Sequence, residues 1–330
     1  MKTIQEDVLI VGAGPIGLAV ALSAKKRGLD PLVIDAGAVV DSIARYPVGM
    51  TFFTTPELLE IGGHPFACAG EKPTREEALK YYRGVVRSEG LRVQTHARLV
   101  GVEHDVRPED GGILCRIQGE VDSADVLCRK LVLATGYYDH PNRLGIPGED
   151  LPHVSHYYDE GHQSFEKDVV VVGGKNSAVE AALDLFRCGA RVTLVHRGPE
   201  LGQSVKYWVK PDLENRIAAG EVTARFNALI RSIDERCVTV ANPDGSEDAI
   251  PASRVYLLTG FQPDFDLFRA IGIKLDPETK RPQIDPETLE TNVPGVYMVG
   301  SITRGKRVSE VFIENGRFDG EKVFGKLRAP

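Results

Sequence analysis

The chain has 330 residues, enough for two modest domains, and with 42% hydrophobic and 26% charged residues it is a folded globular protein rather than a disordered one. A formal charge of −7 without a dense Lys/Arg block argues against nucleic acid or an anionic membrane as a partner. The segment Met1–Asp7 lacks a signal-peptide core, no apolar run approaches the ~20 residues of a membrane span, and the five cysteines form neither Cys-x-x-Cys nor a metal-ligand spacing, so a cytoplasmic protein without a metal is expected.

From Asp7 to Gly28 the stretch DVLIVGAGPIGLAVALSAKKRG reads as an apolar strand, a tight glycine turn and a helix closed by glycine, the opening of a dinucleotide-binding βαβ unit. Gly12, Gly14 and Gly17 satisfy Gly-x-Gly-x-x-Gly, which lets the backbone around Pro15 and Ile16 approach a pyrophosphate at the helix N-terminus. The next strand ends in Asp35-Ala36, where a carboxylate can accept hydrogen bonds from a ribose diol. An irregular stretch up to Pro73 follows, with Gly, Pro and aromatics suited to loops lying over a ligand. A helix then starts at Thr74, whose capping box with Glu77 precedes an apolar stripe at Leu79, Tyr82 and Val86, and Gly90 ends it. Runs of β character at LRVQTH, RLVGVEHDV, ILCRIQG and ADVLCRKLVLATG bring the chain to Ala134-Thr135-Gly136. A proline-rich, aperiodic segment places a domain boundary near residue 150.

From Asp168 to Gly189 the opening is repeated as DVVVVGGKNSAVEAALDLFRCG. Its turn, Gly173-Gly174-Lys175-Asn176-Ser177-Ala178, has Lys where the second glycine belongs and an acceptable Ala in the third place. The interval from Gly173 to His196 is the same 23 residues as from Gly12 to Asp35, but this strand ends in His196-Arg197 instead of an acid. A guanidinium binds the 2′-phosphate that a carboxylate repels, so the first unit is expected to take FAD and the second NADPH, with Lys206 a further phosphate candidate. A helix and strands at VTARFNALIRSI and CVTVAN lead to Gly260, where the chain returns. The tail holds GVYMVGSITRG and a helical SEVFIENGRFDGEKVF.

The expected organisation is a FAD-binding domain built from residues 1–150 and 257–330, with an NADPH-binding domain, 151–256, inserted in it: two Rossmann-like α/β domains. Besides the glycine loop and Asp35-Ala36, the candidate FAD contacts are Phe52, Leu99, Ala134, Thr135, Gly136, Gly300, Ser301, Val311 and Phe312; the NADPH candidates are residues 173–178, His196, Arg197, Lys206 and Gly260. Phe53, Tyr137, Tyr138, Tyr157 and Tyr158 are further aromatics able to flank a flavin. Cys115, Cys128 and Cys188 read as packing thiols, whereas Cys68, in the loop HPFACAG, has no evident packing role.

The order of these segments resembles the low-molecular-weight thioredoxin reductases over nearly the whole chain. Within that group TFFTTPELLEIGG, VSHYYDEGHQSFEKDVVVVGGKNSAVEAAL and EVFIENGRF are similar to the bacillithiol disulfide reductases, the YpdA family, including their Lys in the second glycine motif. The resemblance implies a NADPH-dependent flavoenzyme acting on the disulfide of a small thiol, with a homodimer or higher homo-oligomer compatible. Three departures qualify it. Thioredoxin reductases carry Cys-x-x-Cys where this chain has Ser155-His156-Tyr157-Tyr158, so their dithiol relay is excluded. Bacillithiol disulfide reductases often have Cys where Ile16 stands, and the usual terminal Gly-Asp is Gly300-Ser301. Electrons would then pass from flavin to disulfide directly or through Cys68, with His156 as the proton donor. A ferredoxin or flavodoxin NADP reductase and a non-catalytic FAD/NADPH redox sensor are the alternatives.

Overall fold

The structure, a computed structural model, describes residues 3–104, 112–120 and 123–325. Two compact units emerge: Met1–Ala44, Met50–His140 and Phe261–Pro330 make the first, Arg45–Gly49 and Pro141–Gly260 the second.

In the first unit, β1 (Thr3–Val11) leads into α1 (Pro15–Lys25), which starts with proline at its first turn and ends beside Gly28. There follow β2 (Leu32–Ile34), the short helices α2 (Asp41–Ala44) and α3 (Pro56–Leu59), α4 (Arg75–Ser88), and strands β3 (Arg92–Gln94), β4 (Ala97–His104), β5 (Ile113–Gly119) and β6 (Ser123–Leu133). The capping box forms as expected: Thr74 accepts from the Glu77 N–H while Glu77 accepts from the Thr74 N–H at 2.8 Å. The sheet order is β3-β2-β1-β6-β5-β4, parallel from β3 to β6 and antiparallel beyond. Its two halves bury differently. The apolar runs Val8–Val11 and Leu131–Leu133 are covered throughout, as in any doubly wound parallel sheet, whereas β5 alternates, with Ile113, Cys115 and Ile117 turned into the core.

The second unit holds β7 (Val154–Ser155), β8 (Asp168–Val172), α5 (Asn176–Arg187), β9 (Arg191–His196), α6 (Lys210–Ala218) and β10 (Thr223–Phe226), then the antiparallel strands β11 (Leu229–Ile233), β12 (Cys237–Ala241) and β13 (Glu247–Pro251), and finally β14 (Arg254–Leu257). A parallel sheet β10-β9-β8-β14-β7 carries the repeat; β11-β12-β13 form a separate three-stranded sheet. The chain then supplies the first unit with α7 (Phe265–Ile271), β15 (Val296–Met298), α8 (Ile313–Gly316) and α9 (Asp319–Phe324). Strand β15 lies parallel to β6, pairing Met298 with Leu133.

Two elements depart from the sequence pattern. Helix α7, capped by the Asp264 side chain and closed by Gly272 at φ 89°, is only 7 residues long, too short to display a period. The tail is broken rather than one helix: the Asn315 carboxamide accepts from the Phe312 N–H at 2.9 Å and donates to the Glu310 carbonyl, so the helix begins afresh at Ile313, and Arg317 turns aside to donate to the carbonyls of Glu57 and Glu60. Among the described residues no helix is long and apolar enough to cross a membrane.

Candidate functional site

The first glycine loop is held between strands. The Gly12 N–H donates to the Ile34 carbonyl at 2.7 Å, and the Ala134 N–H donates to the Val11 carbonyl at 2.8 Å. Gly12 lies at φ 113°, and a Cβ there would run into the Ala134 carbonyl, so the position is closed to every other residue. Gly17 is closed for another reason, its Cα resting on the Gly12 carbonyl where α1 crosses β1. Gly14 is the reverse: it caps α1 with no side-chain hydrogen bond, and nothing lies within 4 Å of where its side chain would be. The start of α1 thus has an uncapped first turn and free space beside Gly14, as a pyrophosphate cradle requires.

Asp35 does two jobs. Its Oδ2 accepts from the Ala13 N–H at 2.6 Å and its Oδ1 from the Gly37 N–H at 2.8 Å, tying loop to strand end. Each oxygen retains a lone pair for a ribose hydroxyl. Burial pushes this carboxyl above the ordinary aspartate range, an effect the two N–H donors oppose. Beside it Ala36 is exposed. At the end of β6 the Thr135 hydroxyl is buried with no partner among the described residues, and Gly136 follows at φ 66°. An orphaned buried hydroxyl beside an open helix N-terminus fits a dinucleotide. Gly300, at φ 75°, abuts the Ile16 side chain, and Ser301 next to it is buried. Phe52 is buried, while Phe312 is exposed and meets Phe53 edge-on at 5.8 Å; Val311 is half-buried. Leu99 belongs to the apolar core with Leu9, Ile34 and Leu133. The sequence did not signal Asp319, whose carboxylate accepts from the Gly300 N–H at 2.8 Å; as a first-turn acid of α9 it had the look of an ordinary helix start.

The second loop repeats the first bond for bond. The Gly173 N–H donates to the Val195 carbonyl at 3.0 Å and the Leu258 N–H to the Val172 carbonyl at 2.8 Å; a Cβ on Gly173, at φ 147°, would lie 2.6 Å from the Leu258 carbonyl oxygen. Ala178 packs where Gly17 sits in the other unit, and Gly260, at φ 91°, stands where Gly136 does. The loop's middle differs. The His196 ring lies directly on Gly174, 2.5 Å from where a Cβ would be, and burial together with the Arg197 charge pushes this imidazole below 6.5. Lys175 caps α5 and is exposed, as is Ser177. The Asn176 amide is occupied within the protein, donating to the Ser204 carbonyl at 3.1 Å and accepting from the Lys206 N–H at 2.9 Å. The Lys206 ammonium is 2.6 Å from Glu180. Arg197 is exposed and, among the described residues, without an ion-pair partner, which leaves its whole fork for a phosphate.

The proposed chemical groups lie elsewhere. His156, 11% exposed, has Nε2 3.3 Å from the buried Glu149, whose two oxygens accept from the N–H groups of Leu144 and Gly145. Cys68 donates to the Gly70 carbonyl at 3.0 Å and lines an open cavity of about 510 Å³ with Thr55, Glu57, Phe66 and Glu71. That lining holds two carboxylates and no cation, the opposite of what activates a thiolate. Tyr158 is a core residue of the second unit, its hydroxyl donating to Asp184 and its ring edge-on to Tyr256. Tyr157 lies in the same unit under the Arg45 guanidinium.

Two glycine-loop units on parallel sheets, one ending in an acid and one in an arginine, define a two-dinucleotide oxidoreductase architecture. A family model described as pyridine nucleotide-disulphide oxidoreductase matches residues 9–300. The chain is 42% identical over 324 residues, 98% of each chain, to Bacilliredoxin reductase Bdr of Bacillus subtilis (strain 168). Among solved structures it is similar to Bacillithiol Disulfide Reductase Bdr (YpdA) from Bacillus cereus, at 40% identity and TM-score 0.93, and to that from Staphylococcus aureus, at 36% and 0.89, each covering 97% of both chains. The chain belongs to the pyridine nucleotide-disulphide oxidoreductase family and, within it, to the bacillithiol disulfide reductases.

Proposed function

We propose that this protein holds FAD in its first unit and NADPH in its second and reduces a low-molecular-weight disulfide, bacillithiol disulfide being the leading substrate, by RSSR + NADPH + H⁺ → 2 RSH + NADP⁺. The observation that carries this is the pair of matched loops, the first open at Gly14 beside Asp35 and the second followed by Arg197, which has no ion-pair partner among the described residues, in a chain without Cys-x-x-Cys. FAD, when bound, supplies the two-electron carrier between nicotinamide and disulfide. The chain's residues orient: Asp35 grips a ribose, the α1 N-terminus a pyrophosphate, Arg197 a 2′-phosphate. We assign the proton for the departing thiolate to His156, whose Nε2 lies 3.3 Å from Glu149 and whose two ring nitrogens are both buried without a hydrogen-bond partner among the described residues. Cys68 takes no part. We also infer a cytoplasmic, self-associating enzyme, a setting compatible with its five free cysteines.

The test is a rapid-mixing experiment. The purified protein is expected to be yellow, to bleach with NADPH and to recover its colour with bacillithiol disulfide. Restoration by ferredoxin or flavodoxin alone would replace the disulfide with a carrier protein, and bleaching with no acceptor accepted would leave a sensor. Under the same assay Cys68→Ser keeps most activity, and His156→Ala loses about a hundredfold with bleaching intact.

A further inference from the structure

The carboxylate at the end of β15 was expected at position 301, where this chain has serine. Strand order shows which part of a dinucleotide that region faces. The carboxyl ends of β2, β1, β6 and β15 lie side by side in that order and all parallel. A dinucleotide laid across them with its first ribose on Asp35, after β2, and its pyrophosphate on the loop after β1 must carry its other half toward β6 and β15. Gly300 follows β15 after a single residue, Val299, and it abuts Ile16 of the glycine loop. The Gly300 N–H donates to Asp319 Oδ2, and among the described residues Asp319 Oδ1 has no hydrogen-bond partner. The carboxylate is held firmly: Gly320, next in the chain, sits so close to Ser23 and Val20 of α1 that a Cβ would collide with them.

We propose that Asp319 is a FAD-binding residue, its free oxygen accepting a hydrogen bond from a ribityl hydroxyl and so taking the place of the carboxylate absent at Ser301. This rests on FAD occupying the first unit. One oxygen orients the carboxylate through Gly300 and the other meets the ligand, whereas at Asp35 both oxygens take a backbone N–H and offer their remaining lone pairs. Both ends of the dinucleotide would then be gripped by an acid whose geometry a backbone N–H fixes.

The experiment measures FAD affinity on the deflavinated full-length chain by flavin fluorescence, with FAD and with analogues each lacking one ribityl hydroxyl. Asp319→Asn keeps an acceptor for the Gly300 N–H but replaces the free oxygen with a donor. Its dissociation constant for FAD is expected to rise about ten- to a hundredfold, and it should no longer discriminate against one deoxy analogue that the unmodified protein binds more weakly. Ser301→Asp added to Asp319→Asn is expected to recover part of the loss. Asp319→Ser, read the same way, serves if the asparagine variant does not fold. An unchanged affinity, or a weaker one with discrimination intact, overturns the proposal. A native protein that binds no FAD overturns the cofactor assignment instead, so the two failures are distinguishable.

Discussion

The two glycine loops share a backbone and differ in what stands on it. In both, a glycine at positive φ backs onto the carbonyl of a neighbouring strand, Ala134 behind Gly12 and Leu258 behind Gly173. Around that fixed geometry the first unit leaves Gly14 bare and spends Asp35 on bracing the loop, whereas the second lays His196 on Gly174 and leaves Arg197 exposed. The framework is therefore a steric requirement common to both units, while ligand choice resides in a few side chains after the second strand.

The largest effects should come from breaking the shared framework one unit at a time. Alanine at Gly12 or Gly173 adds a strained φ, costing about 1 to 3 kcal/mol, to a collision with backbone that cannot give. Gly12→Ala is expected to yield protein without flavin; Gly173→Ala should remain yellow, and its NADPH bleaching should be lost. Visible spectra before and after NADPH check both, and a Gly173→Ala protein that bleaches normally would disprove the equivalence of the loops.

Next come the side chains that distinguish them. Arg197→Ala should lower kcat/KM for NADPH by roughly ten- to a hundredfold, the equivalent of one charge-assisted pair at about 1.5 to 3 kcal/mol, and leave NADH unaffected. A native protein preferring NADH would reverse the assignment of that strand end. Gly174→Ala drives a methyl into the His196 ring, and we expect KM for NADPH to rise about tenfold; adding His196→Ala should restore most of it, since contacting sites couple by about 0.5 to 3 kcal/mol. Equal damage in single and double variants would mean the ring is not what constrains Gly174.

The smallest effect is one of pH. Because burial, with help from Arg197, holds His196 below 6.5, the unfolded chain binds its proton more readily than the folded one. The stability this residue contributes is thus present above 6.5 and is lost as pH falls through the folded value. Urea midpoints measured from pH 7.5 down to 5 should decline less steeply in His196→Asn than in the native protein, and parallel declines would show that the ring is not desolvated.

Much of this was legible in the chain, because steric requirements leave letters behind. Glycines at fixed intervals, an acid or an arginine 23 or so residues on, and the Thr74–Glu77 box all follow from local geometry, and the sheets follow from apolar runs. What was illegible depends on distant partners. Nothing in the sequence ties Asp319 to Gly300, Lys206 to Glu180 or His196 to Gly174, and Asn176 looked like a ligand contact until its amide was found spent on residues 204 and 206. The broken tail was likewise disguised, since Asn315 and Arg317 act through backbone carbonyls and N–H groups that carry no sequence signal.

The pairing of β15 with β6 has a consequence for the birth of the molecule on the ribosome. Leu131–Leu133 are fully buried, with β1 on one side and β15 on the other, yet β15 begins only at Val296, after the whole second unit has been made. During that interval the nascent first unit presents a bare, apolar parallel edge at its centre, a template for pairing with other chains. The second unit, contiguous but for a five-residue strap, can fold while the first waits. Translation that pauses before Val296 would strand the protein in its most aggregation-prone form, so the closing strand sets when the protein becomes safe as well as where Gly300 stands.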